Sequence, residues 1–328
     1  MSSNCKILLF IFVAILFCCS SKKAEKVGKA EKYFIKGTEY YEQEDYKQAF
    51  DMWQKSAELG YAASQCKLGY LYRFGEGVAQ DYSKAVYWYT KAAEQGDADA
   101  QYDLGDCYET GQGVTKDYSQ AVYWLTKAAE QGQIYAQIYL ASCYSLGKGV
   151  AKDYSQAEYW WTKAAEQGDI DTQIQLGFYY EEGLGVAQDY SKAVYWYTKA
   201  AEQGDAFAQK RLGVCYENGQ GVAQDYSKAV YWYTKAAEQG DAGAQKNLGV
   251  CYYNGQGVAK DDSQAVYWWT KAAEQGDAGA QHNLGVCYYN GEGVAKDYSQ
   301  AVYWWTKAAE QGDAVAQNNL EILRKMGY

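Results

Sequence analysis

Every 36 residues the hexapeptide Lys-Ala-Ala-Glu-Gln-Gly returns. Its final glycine stands at Gly96, Gly132, Gly168, Gly204, Gly240, Gly276 and Gly312, with a looser copy ending at Gly60. A fixed period of this length specifies stacked supersecondary units and excludes one globular core. Each unit contacts only its neighbours, so the 328 residues are expected to form a quasi-one-dimensional stack. An extended stack of this kind favours a binding scaffold, although nothing in the sequence names the partner.

The internal pattern of one unit predicts two helices. Ala100, Leu104 and Tyr108 recur at four-residue spacing and mark an apolar stripe on a first helix, helix A. Gly111-Gln-Gly113-Val114 follows. The first glycine suits a left-handed helix cap, and the second lets the chain turn without a Cβ clash. Val114, apolar in a loop, is expected to tuck into the core. Asp117 can cap the next helix, helix B, whose broad apolar face runs through Tyr118, Ala121, Trp124, Leu125, Ala128 and Ala129. Gln131-Gly132 ends it. Connections this short make the helices antiparallel neighbours. The 36 tyrosines and 11 tryptophans rule out a disordered chain, and the absence of proline suits uninterrupted helices.

The Gly-x-Gly-Val loop occurs seven times, from Gly75 to Val78 through to Gly291 to Val294. With Leu104-Gly105, Tyr108, Asp117-Tyr118 and Lys127-Ala-Ala129, it makes residues 61–312 resemble seven Sel1-like repeats. Ala141 departs from the pattern in place of the helix A glycine, and Asp262 in place of the helix B tyrosine. Residues 31–60 lack the loop and resemble a tetratricopeptide-like first repeat. Residues 313–328 supply one more helix A, a polar capping helix. The resemblance implies an all-α, right-handed superhelix (solenoid) of antiparallel helix pairs. It further implies an adaptor holding a protein or peptide along a concave helix A face.

The N-terminus is of another kind. Ile7 to Phe17 is an apolar run too short to span a bilayer, preceded by Lys6. It ends in Leu16-Phe17-Cys18-Cys19, which resembles a bacterial lipoprotein signal. That resemblance implies a signal over residues 1–19, acylation at Cys19, and export to the cell envelope with the membrane reached only through the lipid. Residues 20–30 then read as a polar, Lys-rich tether.

The formal net charge of −10 argues against a nucleic-acid partner, whose phosphates need Lys and Arg. Cys107, Cys143, Cys215, Cys251 and Cys287 share a helix A position that elsewhere holds Leu71, Tyr179 and Leu323, so they read as buried packing residues. Their spacing is not that of a zinc site. They stand one per repeat, whereas relatives with interhelical disulfides carry two. The single histidine, His282, has no nucleophile near it in sequence, and no cofactor motif is present. Ser64-Gln-Cys-Lys67 matches the nucleophile motif of penicillin-recognising enzymes without its companion motifs. Some cysteine-rich relatives bind or hydrolyse β-lactams, so an envelope hydrolase acting on β-lactams or peptidoglycan is the alternative to a scaffold.

Helix B scarcely changes from repeat to repeat, solvent positions included, whereas helix A varies on the face away from helix B. Those variable positions supply the candidate binding residues: Tyr102, Asp103, Asp106, Tyr135, Ile138, Tyr139, Phe178, Phe207, Lys210, Arg211, Tyr253 and Tyr289. Change confined to one face marks a face in use, and clustered exposed aromatics favour recognition. The stretch from Tyr135 to Phe207 is the most apolar. The C-terminal repeats, nearly identical to one another, read as a spacer.

Overall fold

A computed structural model describes residues 24–328. The signal, Cys19 and the start of the tether lie outside them. All regular structure among the described residues is helical. Helix α1 spans residues 24–42, and α2 spans Tyr46–Glu58. The helix A members are α3 (Ala62–Phe74), α5 (Ala98–Thr110), α7 (Ile134–Leu146), α9 (Ile170–Glu182), α11 (Ala206–Asn218), α13 (Ala242–Asn254), α15 (Ala278–Asn290) and α17 (Ala314–Lys325). The helix B members are α4 (Tyr82–Glu94), α6 (Tyr118–Glu130), α8 (Tyr154–Glu166), α10 (Tyr190–Glu202), α12 (Tyr226–Glu238), α14 (Asp262–Glu274) and α16 (Tyr298–Glu310). They fall into two compact units, which among the described residues are 24–167 and 168–328, and within each of them successive helices pack as neighbours. None of the described helices is long and apolar enough to cross a membrane.

The boundaries follow from side-chain chemistry. Asp97 caps α5 by accepting the Ala100 N–H at 2.9 Å, and Gln133 caps α7 in the same way from Ala136 at 2.6 Å. Asp117 accepts the N–H groups of Ser119 and Gln120 at the start of α6. Its own N–H donates to the Tyr108 carbonyl at 2.8 Å, which closes the loop. Gly111 ends α5 with φ +79°, and Val114 packs onto the core beneath. Gly113 meets a harder constraint. A Cβ there would lie 2.2 Å from the carbonyl oxygen of Tyr82, the first residue of the preceding helix B. The loop of one repeat thus lies directly on the backbone of the repeat before it.

Within a pair, the helix A glycine lets the helix B aromatic in. A Cβ at Gly69 would sit 2.6 Å from the Tyr89 ring, and one at Gly285 would sit 2.3 Å from the Trp305 indole. Small against large keeps the core filled with few rotatable atoms.

Two expectations change. The tether reading fails from residue 24 onward, because α1 is already helical there. Ala30 is buried and its carbonyl accepts the Ser56 hydroxyl at 2.7 Å, so apolar packing anchors this turn. The capping helix α17 is present as expected, but it leaves Val315, Ile322 and Met326 exposed and is less polar than its role as a cap suggests.

Candidate functional site

The variable helix A positions fall into two sets once the neighbours are seen. In the first unit Tyr135 stands 63% exposed, its ring 6.1 Å from that of Tyr102 on the helix A before it. Ile138 and Tyr139 are half-buried beside it. Asp103 and Asp106 are not free. Arg73 of α3 reaches across to both, 3.6 Å from Asp103 and in closer contact with Asp106. Burial raises the Asp103 carboxyl to about 7, against the opposing pull of Arg73.

In the second unit Phe178 and Phe207 are 39% and 40% exposed. Arg211 is committed to Glu181, which is buried, and its Nε donates to Oε2 at 3.1 Å. The Tyr197 hydroxyl donates to the same oxygen at 2.7 Å. Lys210 pairs with Asp241 at 3.0 Å and lies over the Phe207 ring. Tyr253 donates to Glu292 at 2.8 Å and packs on Trp269, and Tyr289 packs on Trp305. The charged candidates Asp103, Asp106, Lys210 and Arg211 therefore join one repeat to the next. The aromatic ones, Tyr135, Phe178 and Phe207, present open surface.

A second repeat-to-repeat device escaped sequence reading. In α5, Gln101 is buried. Its amide donates to the Ala93 carbonyl at 3.1 Å and its oxygen accepts from Gln131 at 2.7 Å. The pattern recurs at Gln65, Gln137, Gln209, Gln245 and Gln281 with their partners. Two glutamines held fixed in each of seven repeats, from Gln65 and Gln95 to Gln281 and Gln311, were its signal in the sequence. Buried amides satisfied on both sides fix the register between repeats.

The chemistry-bearing residues picked out in the sequence are each held in packing contacts of their own unit. Ser64 is fully buried and its hydroxyl donates to Ser56 Oγ at 2.6 Å, so the Ser-x-x-Lys match is a packing contact. His282 Nδ1 lies 3.2 Å from Asp313 Oδ2 of the following repeat. No cluster of metal-ligating side chains occurs among the described residues.

Cys66, Cys107, Cys143, Cys215, Cys251 and Cys287 are buried free thiols. Burial pushes Cys107, Cys251 and Cys287 up to about 12, and Cys143 and Cys215 to about 11. In the unfolded chain a thiol ionises near pH 8.5. The neutral thiols' contribution to stability is therefore complete below about pH 8.5 and is lost as pH climbs toward their folded values. Ellman's reagent is expected to leave all six unlabelled in the native protein and to reach them after urea unfolding. Rapid native labelling would contradict the packing role.

The outer side of helix B is uniform. Tyr87, Tyr123, Tyr159, Tyr195, Tyr231, Tyr267 and Tyr303 are each about half exposed. Each meets the neighbouring tryptophan edge to face, as Tyr123 does Trp124 at 5.0 Å.

Paired helices, glycine-set loops and a repeat-wide register define an α-helical repeat scaffold. The chain belongs to the Sel1 repeat family, whose model matches eight consecutive segments from residues 26–61 through 278–313. The first repeat, set apart above as tetratricopeptide-like, is matched by the same model despite its shorter loop. Sel1 repeats are typically protein-interaction modules. Among solved structures, the chain is similar to a protective antigen present in uropathogenic Escherichia coli strains, which displays an SLR fold. The two are 42% identical with a TM-score of 0.80, over 92% of this chain and 66% of that one. It is also similar to a Sel1 repeat protein from Oxalobacter formigenes, at 34% identity and TM-score 0.62, over 93% and 90% of the two chains. The chain thus spans about two thirds of the antigen's length. No curated protein matched the sequence.

Proposed function

We propose that the chain is an exported scaffold of the bacterial cell envelope that binds a protein or peptide along its helix A face. One contrast carries this reading. Helix B repeats its exposed residues almost unchanged, whereas helix A exposes different side chains from repeat to repeat as far as α11, with Phe74, Tyr135, Phe178 and Phe207 among its exposed aromatics. Exposed aromatics are the residue type that most often anchors a protein interface. The likeness to a protective antigen supports export. The lipoprotein-like residues Leu16 to Cys19 support a lipid anchor. Mass spectrometry of envelope-extracted protein is expected to find an acylated Cys19 at the N-terminus, and an intact Met1 in cytosol would contradict it.

The binding reading is tested with Tyr135, Tyr139, Phe178 and Phe207 changed singly to Ala and titrated against a captured partner. The anchoring positions are expected to lose about 2 kcal/mol or more of binding while the melting curve stays near that of the parent. Unchanged affinity across the set would refute the helix A site.

A further inference from the structure

Each unit carries an ion pair that ties one helix A to the next, and the two are built with opposite polarity. In the second unit the leading helix, α9, supplies the acid Glu181, and the following one, α11, supplies Arg211. One carboxylate meets one guanidinium, and the Tyr197 hydroxyl donates to the same carboxylate. The next place along α11 is the apolar Val214. Three repeats earlier the matching positions hold Arg73 on α3, Tyr89 on α4, and Asp103 and Asp106 on α5. Here the base leads and two acids follow, so one guanidinium serves two carboxyls. Tyr89 loses its acceptor in the exchange, because a guanidinium only donates. Its hydroxyl is buried and, among the described residues, meets no hydrogen-bond partner.

We propose that the α3–α5 joint is tightened by a proton held on Asp103 and loosens when that proton leaves, whereas the α9–α11 joint keeps its hold across the same change of pH. The arrangement of charges selects Asp103. Asp99, Asp103 and Asp106 lie at i, i+4 and i+7 on one face of α5, so Asp103 has a like charge on either side. Arg73 is in close contact with Asp106 and stands 3.6 Å from Asp103. Both carboxyls are largely enclosed, with side chains 22% and 18% exposed. Two such carboxyls beside one cation resist ionising together, and the one farther from the cation keeps the proton. Asp103 is also a wall of a cavity of about 240 Å³, with Cys66, Lys67, Tyr70, Asp97 and Tyr102 among the others.

The surroundings of Asp103 set the direction. From α3 come Cys66, Lys67, Tyr70 and Arg73, and from α4 the Tyr89 hydroxyl. α5 itself adds Asp97, Asp99, Tyr102, Asp106 and Cys107. α6 meets α5 with Leu125 against Gly105, and α7 brings the Tyr135 ring beside Tyr102. Burial first, then the two flanking aspartates, push the Asp103 carboxyl up to about 7, while Arg73 and Lys67 pull it down. Burial pushes Asp97 up as well, but its carboxylate caps α5 by accepting the Ala100 N–H, which favours the ionised form. In the unfolded chain an aspartate ionises near pH 3.9. The folded joint therefore binds the additional proton between these values. Its stabilisation is complete below about pH 4 and is lost as the pH rises through about 7. This holds whatever the helix A face binds.

Hydrogen exchange of the intact chain, read by mass spectrometry, compares the two joints inside one molecule. After correction for the intrinsic pH dependence of exchange, the amides of α3 and α5 are expected to lose protection about 10-fold or more between about pH 5.5 and about pH 8, and those of α9 and α11 less than about 2-fold. Asp103→Asn fixes the uncharged form, so it should keep the acid-side protection at about pH 8. Carboxyl-carbon NMR of the aspartate-labelled parent gives a second reading that needs no variant to fold. One aspartate is expected to titrate near pH 7, and its resonance should be the one missing from Asp103→Asn. Asp106→Asn should move that midpoint down by about 0.5 or more, because a like charge is removed. Titration of every aspartate below about pH 5, equal loss of protection at both joints, or a pH response that survives Asp103→Asn overturns the proposal.

Discussion

Replacing Gly257 by Ala is expected to destabilise the second unit by about 3 kcal/mol or more, although only one methyl group is added. Gly257 has φ +74°, and a Cβ would lie 2.2 Å from the Tyr226 carbonyl oxygen and 2.4 Å from its carbon. Both are backbone atoms at the start of α12, so no side chain can swing aside. The left-handed backbone alone costs a non-glycine residue about 1–2 kcal/mol, and the clash adds to that. Gly276 supplies the comparison. Its φ is +96°, but nothing lies within 4 Å of a Cβ there. Gly276→Ala should therefore cost the conformational part alone, about 1–2 kcal/mol. Urea unfolding followed by tryptophan fluorescence reads both. Equal losses would mean that the loop does not rest on the preceding repeat.

Removing Arg211 should cost as much by another route. Arg211→Leu leaves the Glu181 carboxylate buried with the Tyr197 hydroxyl as its remaining neutral donor. Breaking a buried pair from one side costs about 3–5 kcal/mol, because the remaining charge is stranded. Adding Glu181→Leu should recover most of the loss, since an apolar pair of similar volume needs no desolvated charge. If the single change costs less than about 1 kcal/mol, the pair behaves as a surface bridge and Arg211 returns to the list of free binding residues.

These two sites mark where sequence reading stopped. The Asp117 cap, the Gly111 terminus and the inward turn of Val114 were legible because each depends on a local backbone need that few residue types meet. The helix A cysteines were legible because Leu and Tyr share their position. The pairing of Arg73 with Asp103 and Asp106, or of Arg211 with Glu181, was not, because periodicity shows which face a residue takes but not which neighbour its side chain can reach. The glutamine ladder was hidden by its own regularity, since an unvarying Gln next to Gly passes for a helix end. The tether was misread because lysines outnumber the apolar residues there, while Ala30 alone reaches the core.

The binding face is tested most directly by photo-crosslinking. A benzophenone amino acid is placed at Tyr135 or Phe207 on helix A, or at Tyr123 or Tyr231 on helix B, where exposure is comparable. Each protein is irradiated in cells, and adducts are resolved by mass. The account predicts a discrete partner adduct from the helix A positions and none from the helix B positions. Adducts from helix B alone would contradict it.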